Sequence, residues 1–451
     1  MLFTTEFLAK LFTNNRGAVE DQLPIQEIST DSRKKSTKSL FIPLTGETFD
    51  GHQFIEDAFY NGAVATLWEK DKQLPSFLPT DFPIFFVEDT LEALQQLAHH
   101  YRQKVNPVVI GITGSNGKTT TKDLVGTVLQ TNFKTHRTNG NYNNQIGLPL
   151  TILSMPTDTE VLVLEMGMDH FGEIERLSTL SCPNYAVITN IGESHIEYLG
   201  SREGIAQAKS EILAGLQENG LLLIDGDERL LKGLHTYPYV STVGFSEEND
   251  FNISYVEMTA DQTLFELDHE NYQLNMLGNH NVKNATFAVV IAKKLGVPLG
   301  KIKDALVHLE LTGMRFEITK GQNNVTIIND AYNASPTSMK ASIDIVKQMK
   351  GYQSKVLVLG DMYELGSSSK VLHRSVAEAI SEKIDVVYTV GSDSEEITKA
   401  IRESSVHTSA KHFDNKQTLI EELQAYLSED VLIMLKASRG MKLESLLDHI
   451  T

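Results

Sequence analysis

The stretch Val108-Val-Ile-Gly-Ile-Thr-Gly-Ser-Asn-Gly-Lys-Thr-Thr-Thr-Lys-Asp123 decides how the rest of the chain can be interpreted. It opens with an apolar, β-branched run that is typical of a buried strand. From Lys118 onward the spacing is that of a helix, with apolar residues at Leu124, Val125, Val128 and Leu129. The pattern therefore predicts a strand, a short loop with two glycines, and a helix in direct succession.

A loop between a strand and a helix N-terminus is a common phosphate site. Glycine lets backbone N–H groups approach anionic oxygens, and the helix N-terminus adds partial positive charge. Lys118 places a full charge near the outer phosphates, and the Thr119 hydroxyl can ligate Mg²⁺. Regular P-loop spacing puts glycine at position 112, which is isoleucine here, so Gly114-x-x-Gly117-Lys118-Thr119 remains. We interpret the stretch as a nucleotide phosphate site rather than a plain strand-to-helix turn.

Length and composition limit the kind of protein. The chain has 451 residues, which at roughly 150 per domain predicts about three domains. A formal net charge of −19 argues against a nucleic-acid groove, which needs clustered Lys and Arg. The single cysteine, Cys182, permits no internal disulfide, and no apolar run approaches the roughly 20 residues of a membrane span. We expect a cytoplasmic protein with no nucleic-acid partner and no stable membrane insertion.

The first predicted unit, residues 1–106, mixes short strands and helices and ends at the Asn106-Pro107 step. Two polar clusters stand out in this unit. One contains Ser32 and Arg33, and the other begins with Thr45 and Gly46. From the residues alone, each cluster is interpreted as a turn with a helix cap.

The second predicted unit, residues 107–311, places polar groups after several strands. Residues 138–149 form a loop with four asparagines, more polar groups than a turn requires, which indicates binding. Glu165 follows a predicted strand beside the phosphate loop, where a carboxylate can reach Mg²⁺ directly or through water. His195 follows a strand predicted over residues 185–191, and Lys209 lies in a helix predicted over 202–216. For these two residues, function and an ordinary surface or structural role stay open.

A strand-rich segment and a polar helix start complete this unit. The strand-rich stretches Leu221–Gly244 and Phe251–Met276 predict an antiparallel extension of the sheet. A helix is predicted after Gly278, and its first residues include His280, Asn281 and Asn284. Amides and an imidazole at a helix start can cap the helix, and they can also contact an adenine ring.

The third predicted unit, residues 312–451, alternates strands and helices. Strands are predicted over residues 325–329, 355–359, 386–390 and 431–435, with helices between them. This alternation indicates a parallel sheet covered by helices. Polar residues gather at the C-terminal ends of the strands, where open α/β sheets bind ligands; they include Asp330, Tyr332, Asn333, Asp361, Glu364, Lys436, Ser438 and Arg439.

Several separated motifs together resemble the Mur ligases, the ATP-dependent amide ligases that build the peptide stem of peptidoglycan. The matching stretches are Gly111-Ile-Thr-Gly-Ser-Asn-Gly-Lys-Thr-Thr120, Glu165-Met-Gly167, Asn190-Ile-Gly-Glu-Ser-His195, Ala208-Lys-Ser-Glu211 and His280-Asn281-x-x-Asn284. The resemblance covers essentially the whole chain. It implies an α/β fold of three domains, with a central P-loop ATPase-like domain and a C-terminal Rossmann-like parallel-sheet domain.

Within the family, the motifs at residues 139–149, 330–339 and 359–366 are most similar to those of the member that adds D-alanyl-D-alanine to UDP-N-acetylmuramoyl-tripeptide. The resemblance implies an ADP-forming peptide ligase of the bacterial cytoplasm, acting as a monomer through an acyl phosphate. Two departures are Ala437, where the family usually has glycine, and Met168-Asp169, where Ala-Asn is more usual. The alternatives are a tripeptide synthetase, a folylpolyglutamate synthetase, a kinase and a P-loop nucleotide switch.

The resemblance also implies roles for individual residues. The catalytic group is Lys118, Glu165, His195 and Lys209. The ATP-contacting group is Gly114, Ser115, Asn116, Gly117, Lys118, Thr119, Thr120, His280, Asn281, Asn284, Arg315 and Asp330. The group that contacts the UDP-sugar and peptide is Ser32, Arg33, Thr45, Gly46, Asn143, Asn144 and Asn333. Mg²⁺ is assigned to Thr119, Glu165, His195 and Lys209, with Lys209 carbamylated by CO₂, a reaction that needs a depressed lysine pKa.

Overall fold

The computed structural model describes residues 1–259, 261–309 and 313–451. The predicted boundary between residues 311 and 312 lies outside the described residues. The described strands form sheets of two, five, nine and six strands. None of the described helices is both long enough and apolar enough to span a membrane.

The N-terminal part carries the two-stranded and the five-stranded sheet. Its strands are β1 (Phe3–Thr4), β2 (Asn15–Arg16), β3 (Pro24–Ile25), β4 (Glu27–Ser29), β5 (Ser39–Phe41), β6 (Ala63–Glu69) and β7 (Ile84–Val87). Its helices are α1 (Thr5–Leu11), α2 (Ile55–Tyr60) and α3 (Thr90–Val105), and a 3₁₀ turn, Gly51–Phe54, precedes α2. The five-stranded sheet has the order β2-β7-β6-β5-β4, and β1 pairs with β3.

Helix α3 joins this part of the chain to the next. The Tyr101 hydroxyl donates to the Met155 carbonyl at 2.8 Å, and the Arg102 guanidinium donates to the carbonyls of Ser181 and Cys182. Apolar residues from both sides, such as Leu97 of α3, belong to one continuous buried cluster. The N-terminal and central parts therefore share a core.

The central part is built on the nine-stranded sheet. Its strands are β8 (Val108–Thr113), β9 (Thr135–Arg137), β10 (Val161–Glu165), β11 (Tyr185–Ile188), β12 (Leu221–Asp225), β13 (Val240–Gly244), β14 (Phe251–Met258), β15 (Thr263–Leu267) and β16 (Glu270–Leu274). The order is β16-β15-β14-β13-β12-β11-β8-β10-β9. Only the β14–β15 and β15–β16 pairs are antiparallel. The predicted antiparallel extension is therefore confirmed for β14 to β16 and wrong for β12 and β13, which continue the parallel sheet.

The helices of the central part flank this sheet. They are α4 (Lys118–Gln130), α5 (Gly147–Ser154), α6 (Glu173–Ser181), α7 (Ile196–Leu199), α8 (Arg202–Ser210), α9 (Asn279–Lys294) and α10 (Leu299–Val307), with 3₁₀ segments at Glu211–Gly215 and Arg229–Thr236. The strand predicted over residues 185–191 ends at Ile188, because the Asn190 side chain bonds the phosphate loop instead. The helix predicted over 202–216 is an α-helix followed by a 3₁₀ segment.

The C-terminal part holds the six-stranded sheet. Its elements are β17 (Glu317–Lys320), β18 (Thr326–Asn329), α11 (Pro336–Gln348), β19 (Ser354–Gly360), α12 (Ser369–Ser375), β20 (Val386–Val390), α13 (Glu395–Glu403), β21 (Ser409–Phe413), α14 (Lys416–Leu423), β22 (Val431–Lys436) and α15 (Leu447–Ile450). The order is β17-β18-β22-β19-β20-β21, and all neighbours are parallel except β17 with β18. The predicted parallel sheet with covering helices is confirmed.

Candidate active site

The phosphate loop lies between β8 and α4, as the sequence predicts. Gly114 has a φ of +150°, and a Cβ there would lie 1.8 Å from the Thr189 hydroxyl, so only glycine fits. Gly117 also has a positive φ, +78°, immediately before the helix. The Lys118 ammonium donates to the Gly114 carbonyl at 2.8 Å, so it lies across the loop.

Polar atoms of this loop are placed for a ligand. Ser115 Oγ and Asn116 Nδ2 are buried and have no hydrogen-bond partner within the described part of the chain. The Asn190 amide fixes the loop by accepting from the Asn116 N–H at 2.9 Å and donating to the Asn116 carbonyl at 3.1 Å. Thr120 is buried in the first turn of α4. Unpaired buried donors beside a helix N-terminus fit the oxygens of nucleotide phosphates.

Glu165, at the end of β10, faces the start of α4. The Thr119 hydroxyl donates to one of its carboxylate oxygens at 2.8 Å, and the Asn143 amide donates to the other at 2.7 Å. Arg315 reaches across from the C-terminal side and donates to the Thr119 hydroxyl at 2.8 Å. A hydroxyl and a carboxylate at this spacing are oxygen ligands of the kind that Mg²⁺ prefers, so the residues fit that ion.

Lys209 is a buried amine on α8, and its side chain is only 2% exposed. Burial, reinforced by the charge of Lys118, lowers the pKa of Lys209 well below its ordinary value. A neutral amine is the form that reacts with CO₂, so this environment fits the expected carbamylation. Lys209 is not among the described residues that line the cavity of the site.

His195 occupies a junction between the central and C-terminal parts. Its Nδ1 lies 3.0 Å from an oxygen of Asp169 and 2.6 Å from an oxygen of Glu364. Burial opposes protonation of the imidazole, but the two carboxylates outweigh burial and raise the pKa of His195. Within the described ranges, its neighbours of metal-ligand type are these two carboxylates rather than Glu165, so the assigned metal set stays a prediction.

The start of α9 lies against the phosphate loop. Asn284 packs closely on Gly117: a Cβ on residue 117 would lie 2.7 Å from the amide oxygen of Asn284. The Asn281 amide donates to the Leu277 carbonyl at 2.8 Å, and His280 is exposed toward the cavity. Asn281 therefore stabilises the start of α9. The predicted contact of His280, Asn281 and Asn284 with adenine stays a prediction.

Asp330, which follows β18, is held by three donors. Its carboxylate accepts from the Lys436 ammonium at 2.6 Å, the Ser342 hydroxyl at 2.7 Å and the Phe316 N–H at 3.1 Å. The Arg315 guanidinium stacks on the Tyr332 ring, 4.2 Å from its centroid. Lys436, which ends β22, and Tyr332, which follows β18, lie at the ligand-binding edge of the sheet and join the site without having been predicted as site residues.

A cavity of about 530 Å³ connects these groups. It is lined by the phosphate loop, the asparagine loop with Asn143 and Asn144, the start of α9 and the edge of the C-terminal sheet with Asn333. A smaller cavity of about 230 Å³ adjoins it and shares the walls His195, Tyr332 and Asn333. The structure thus brings most of the predicted ATP-contacting residues to one space.

The predicted UDP-sugar residues lie elsewhere. Ser32, Arg33, Thr45 and Gly46 line neither of these two cavities. Arg33 is exposed and pairs with Asp31 at 2.8 Å, while the Ser32 carbonyl accepts from the Asn61 amide. Their contact with a sugar nucleotide stays a prediction.

A glycine-containing loop at a helix start on the central sheet faces the ligand-binding edge of a second, mostly parallel sheet across one cavity, an arrangement typical of nucleotide-binding enzymes. Three family models match the chain: "Mur ligase family, catalytic domain" over residues 24–102, "Mur ligase middle domain" over 112–292, and "Mur ligase, glutamate ligase domain" over 314–439. The chain belongs to the Mur ligase family.

The chain is similar over most of its length to one particular member of this family. The chain is 45% identical, over 95% of its length and 94% of the relative, to the UDP-N-acetylmuramoyl-tripeptide–D-alanyl-D-alanine ligase of Bacillus subtilis. A crystal structure of MurF from Acinetobacter baumannii is 30% identical with a TM-score of 0.86, covering 99% of this chain and 98% of that one. MurF ligase from Thermotoga maritima in complex with ADP is 28% identical with a TM-score of 0.83, covering 94% and 96%.

Proposed function

We propose that this chain is an ATP-dependent, ADP-forming peptide ligase that joins D-alanyl-D-alanine to UDP-N-acetylmuramoyl-tripeptide. The product is the UDP-muramoyl-pentapeptide precursor of peptidoglycan. One observation carries the proposal: the phosphate loop, Glu165 and the cross-domain Arg315 meet through the Thr119 hydroxyl at one cavity. The Bacillus subtilis relative, similar over almost the whole of both chains, supports the choice of substrates.

The reaction solves a leaving-group problem. A carboxylate is a poor acyl donor because oxide does not leave. The terminal carboxylate oxygen of the tripeptide attacks the γ-phosphorus, and the bond to the β-phosphate oxygen breaks to give ADP. The amine of D-alanyl-D-alanine then attacks the acyl-phosphate carbonyl, loses a proton, and phosphate leaves with its bonding electron pair.

The residues of the cavity supply charge and position. Lys118 and the phosphate-loop N–H groups neutralise the transferring phosphoryl group, and Arg315 adds a second cation from the C-terminal part. Mg²⁺, when bound, adds further charge neutralisation, with Thr119 and Glu165 holding one ion and His195 and carbamylated Lys209 a second. The three parts of the chain also screen the acyl phosphate from water, which would hydrolyse it.

The remaining assignments are part of the same proposal. His280, Asn281 and Asn284 contact adenine, and Asp330 contacts the ribose. Ser32, Arg33, Thr45 and Gly46 hold the UDP-sugar end, while Asn143, Asn144 and Asn333 lie along the peptide. We place the domain boundaries after residues 106 and 311, and we propose a monomer in the bacterial cytoplasm.

The test is ADP formation by purified protein. We expect rapid ADP release only when ATP, UDP-N-acetylmuramoyl-tripeptide and D-alanyl-D-alanine are all present. Parallel reactions offer the dipeptide substrate of a tripeptide synthetase with a diamino acid, or a folate with glutamate. Turnover with one of those pairs, and none with D-alanyl-D-alanine, would assign the chain to another ligase. ADP release that needs no acceptor, or a product that retains the phosphate, would favour a switch or a kinase.

A further inference from the structure

The loop that follows β19, residues 361–366, is anchored to its own domain at three consecutive residues. Asp361 accepts from the backbone N–H groups of residues 392–394 at 2.8 to 3.0 Å. The Met362 N–H donates to the ring of the fully buried His373 at 2.8 Å. The Tyr363 N–H donates to the Ser438 hydroxyl at 2.9 Å. Such anchoring fixes the direction in which the next residue, Glu364, leaves the sheet.

Glu364 is held against the central domain in an unusual conformation. Its φ of +62° lies in the left-handed region, which residues with a Cβ seldom adopt. Its carbonyl accepts from the Glu197 N–H of the central domain at 3.2 Å. Gly366 packs on Glu197 as well: a Cβ on residue 366 would lie 3.2 Å from the Glu197 Cγ. Strained residues that the surroundings hold in place are concentrated at functional sites.

The Glu364 carboxylate contacts the imidazole of His195. One of its oxygens lies 2.6 Å from His195 Nδ1 and an oxygen of Asp169 lies 3.0 Å from the same nitrogen. This buried nitrogen is thus within ion-pair distance of two carboxylates, although neither contact has the angle of a hydrogen bond. His195 is itself left-handed, with a φ of +64°. A neutral imidazole that keeps its proton on Nδ1 leaves the Nε2 lone pair free as a ligand.

We propose that Glu364 is a positioning residue that, from the docked C-terminal domain, holds His195 in the tautomer and orientation of a metal ligand. Metal-ligating histidines commonly donate their second ring nitrogen to a carboxylate, which fixes the ring and raises its basicity. The proposal rests on the proposed function, in which His195 holds a divalent ion.

The contacts of Asp169 and Glu364 with His195 depend differently on the docking of the two domains. Asp169 belongs to the same domain as His195, so its contact does not depend on domain docking. Glu364 belongs to the other domain, so its contact is made only when the two domains meet. Through Glu364, strong binding of the ion at His195 depends on the docked arrangement that also brings Arg315 to the phosphate loop.

The test measures Mn²⁺ binding to the full chain by electron paramagnetic resonance, with ADP and UDP-N-acetylmuramoyl-tripeptide present. We expect Glu364→Gln to weaken the histidine-ligated ion by about 10- to 100-fold, the usual effect of losing such a partner. The electron spin-echo modulation from a histidine nitrogen should decrease in parallel. Glu378→Gln is the matched control, since that exposed side chain of the same domain pairs only with Lys340 within the described residues.

Further measurements separate positioning from damage to the fold. Thermal unfolding of Glu364→Gln should match that of the unchanged chain, because the side chain is 42% exposed. Metal-free ADP binding, which depends on the phosphate loop, should also be unchanged. Asp169→Asn should also weaken the ion, because an Asp169 oxygen lies 3.0 Å from the same His195 nitrogen.

Two outcomes would overturn the inference. One is Mn²⁺ affinity within twofold of the unchanged chain, with full nitrogen modulation, in folded Glu364→Gln. The other is the absence of histidine modulation in the unchanged chain. Either outcome leaves the proposed peptide-ligase activity standing if ADP release still requires D-alanyl-D-alanine, and only the role of Glu364 or of His195 at the ion is lost.

Discussion

Glu165 shows how a single residue can organise a site. Both of its carboxylate oxygens are engaged, one by Thr119 of the phosphate loop and one by Asn143 of the asparagine loop. Asn143 therefore contacts the acidic strand end as well as the cavity that we assign to substrate. A side chain held on both sides is pre-organised, which limits the reorganisation needed during the reaction.

Lys118 provides the most direct prediction at this scale. Lys118→Met should reduce the rate of ADP formation by about 10²- to 10³-fold, because a preorganised cation at the transferring phosphoryl group is lost. Lys134→Met is the control, since Lys134 is exposed and pairs with Asp158 on the surface. A steady-state ADP assay decides, and unchanged turnover in the Lys118 variant would contradict its role.

Lys209 provides a prediction about charge. Lys209→Ala should lower turnover by about 10²-fold or more, because the carboxylate-like carbamate is absent. Added acetate or formate should restore part of the rate, since a small carboxylate can occupy the vacated volume. Lys118→Ala should show no such rescue. If neither acetate nor formate raised the turnover of the Lys209→Ala variant, the result would argue that no carbamate is formed.

The residues of the site that are adjacent in the chain could be predicted from the sequence, whereas their partners from distant parts of the chain could not. The phosphate loop depends on residue types that are adjacent in the chain, so Lys118 and Thr119 are recognisable without a structure. The pairs His195–Glu364 and Asp330–Lys436 depend on packing between distant elements. The sequence places Glu364 and Lys436 at a sheet edge but does not say which residue each one faces.

At the scale of elements, buried strands could be predicted and exposed ones could not. Strand β20 is buried at every position and is predicted with the bounds that the structure has. Strands β17 and β21 were not predicted because they are edge strands with at most one buried position each. Without an apolar periodicity, their only signal is pairing with a neighbour, which the sequence does not display.

Asp361 links β19 to the turn before α13, and its substitution tests that link. Burial opposes its ionisation, but the N–H groups of residues 392–394 outweigh burial and lower the pKa of Asp361. Because the folded pKa is below the unfolded value of 3.8, the carboxylate stabilises the fold above that pH, and the stabilisation is lost as pH falls through the folded pKa. Asp361→Asn should therefore cost about 1–3 kcal/mol at neutral pH.

Urea unfolding of the Asp361 variant at several pH values measures this contribution. The difference from the unchanged chain should be constant from pH 7 down to about pH 4 and should shrink only below that. Asp344→Asn, an exposed carboxylate on α11, should show no comparable loss. A difference that already shrinks between pH 7 and pH 5 would contradict the lowered pKa of Asp361.

For the whole molecule, the N-terminal and central parts should behave as one stability unit. Tyr101 of α3 is buried in their shared core and donates to the Met155 carbonyl. Tyr101→Ala should lower the free energy of unfolding by about 3–5 kcal/mol, because it leaves a large cavity between the two parts. Tyr101→Phe, which removes only the hydrogen bond, should cost about 1 kcal/mol.

Differential scanning calorimetry tests the shared core. The Tyr101→Ala variant should shift the unfolding of the N-terminal and central parts together, while a transition of the C-terminal part stays in place. Separate shifts, with the N-terminal part melting alone, would show that the shared core does not couple the two parts.

The central claim is that a carboxylate becomes reactive by taking the γ-phosphoryl group of ATP, and isotope transfer tests it most directly. The terminal carboxylate of UDP-N-acetylmuramoyl-tripeptide is labelled with oxygen-18, and the phosphate released during synthesis with D-alanyl-D-alanine is analysed by mass spectrometry. We predict a single oxygen-18 atom in each released phosphate, because the bridging oxygen of the acyl phosphate leaves with phosphorus. Phosphate without the label, released alongside newly formed pentapeptide, would contradict the account.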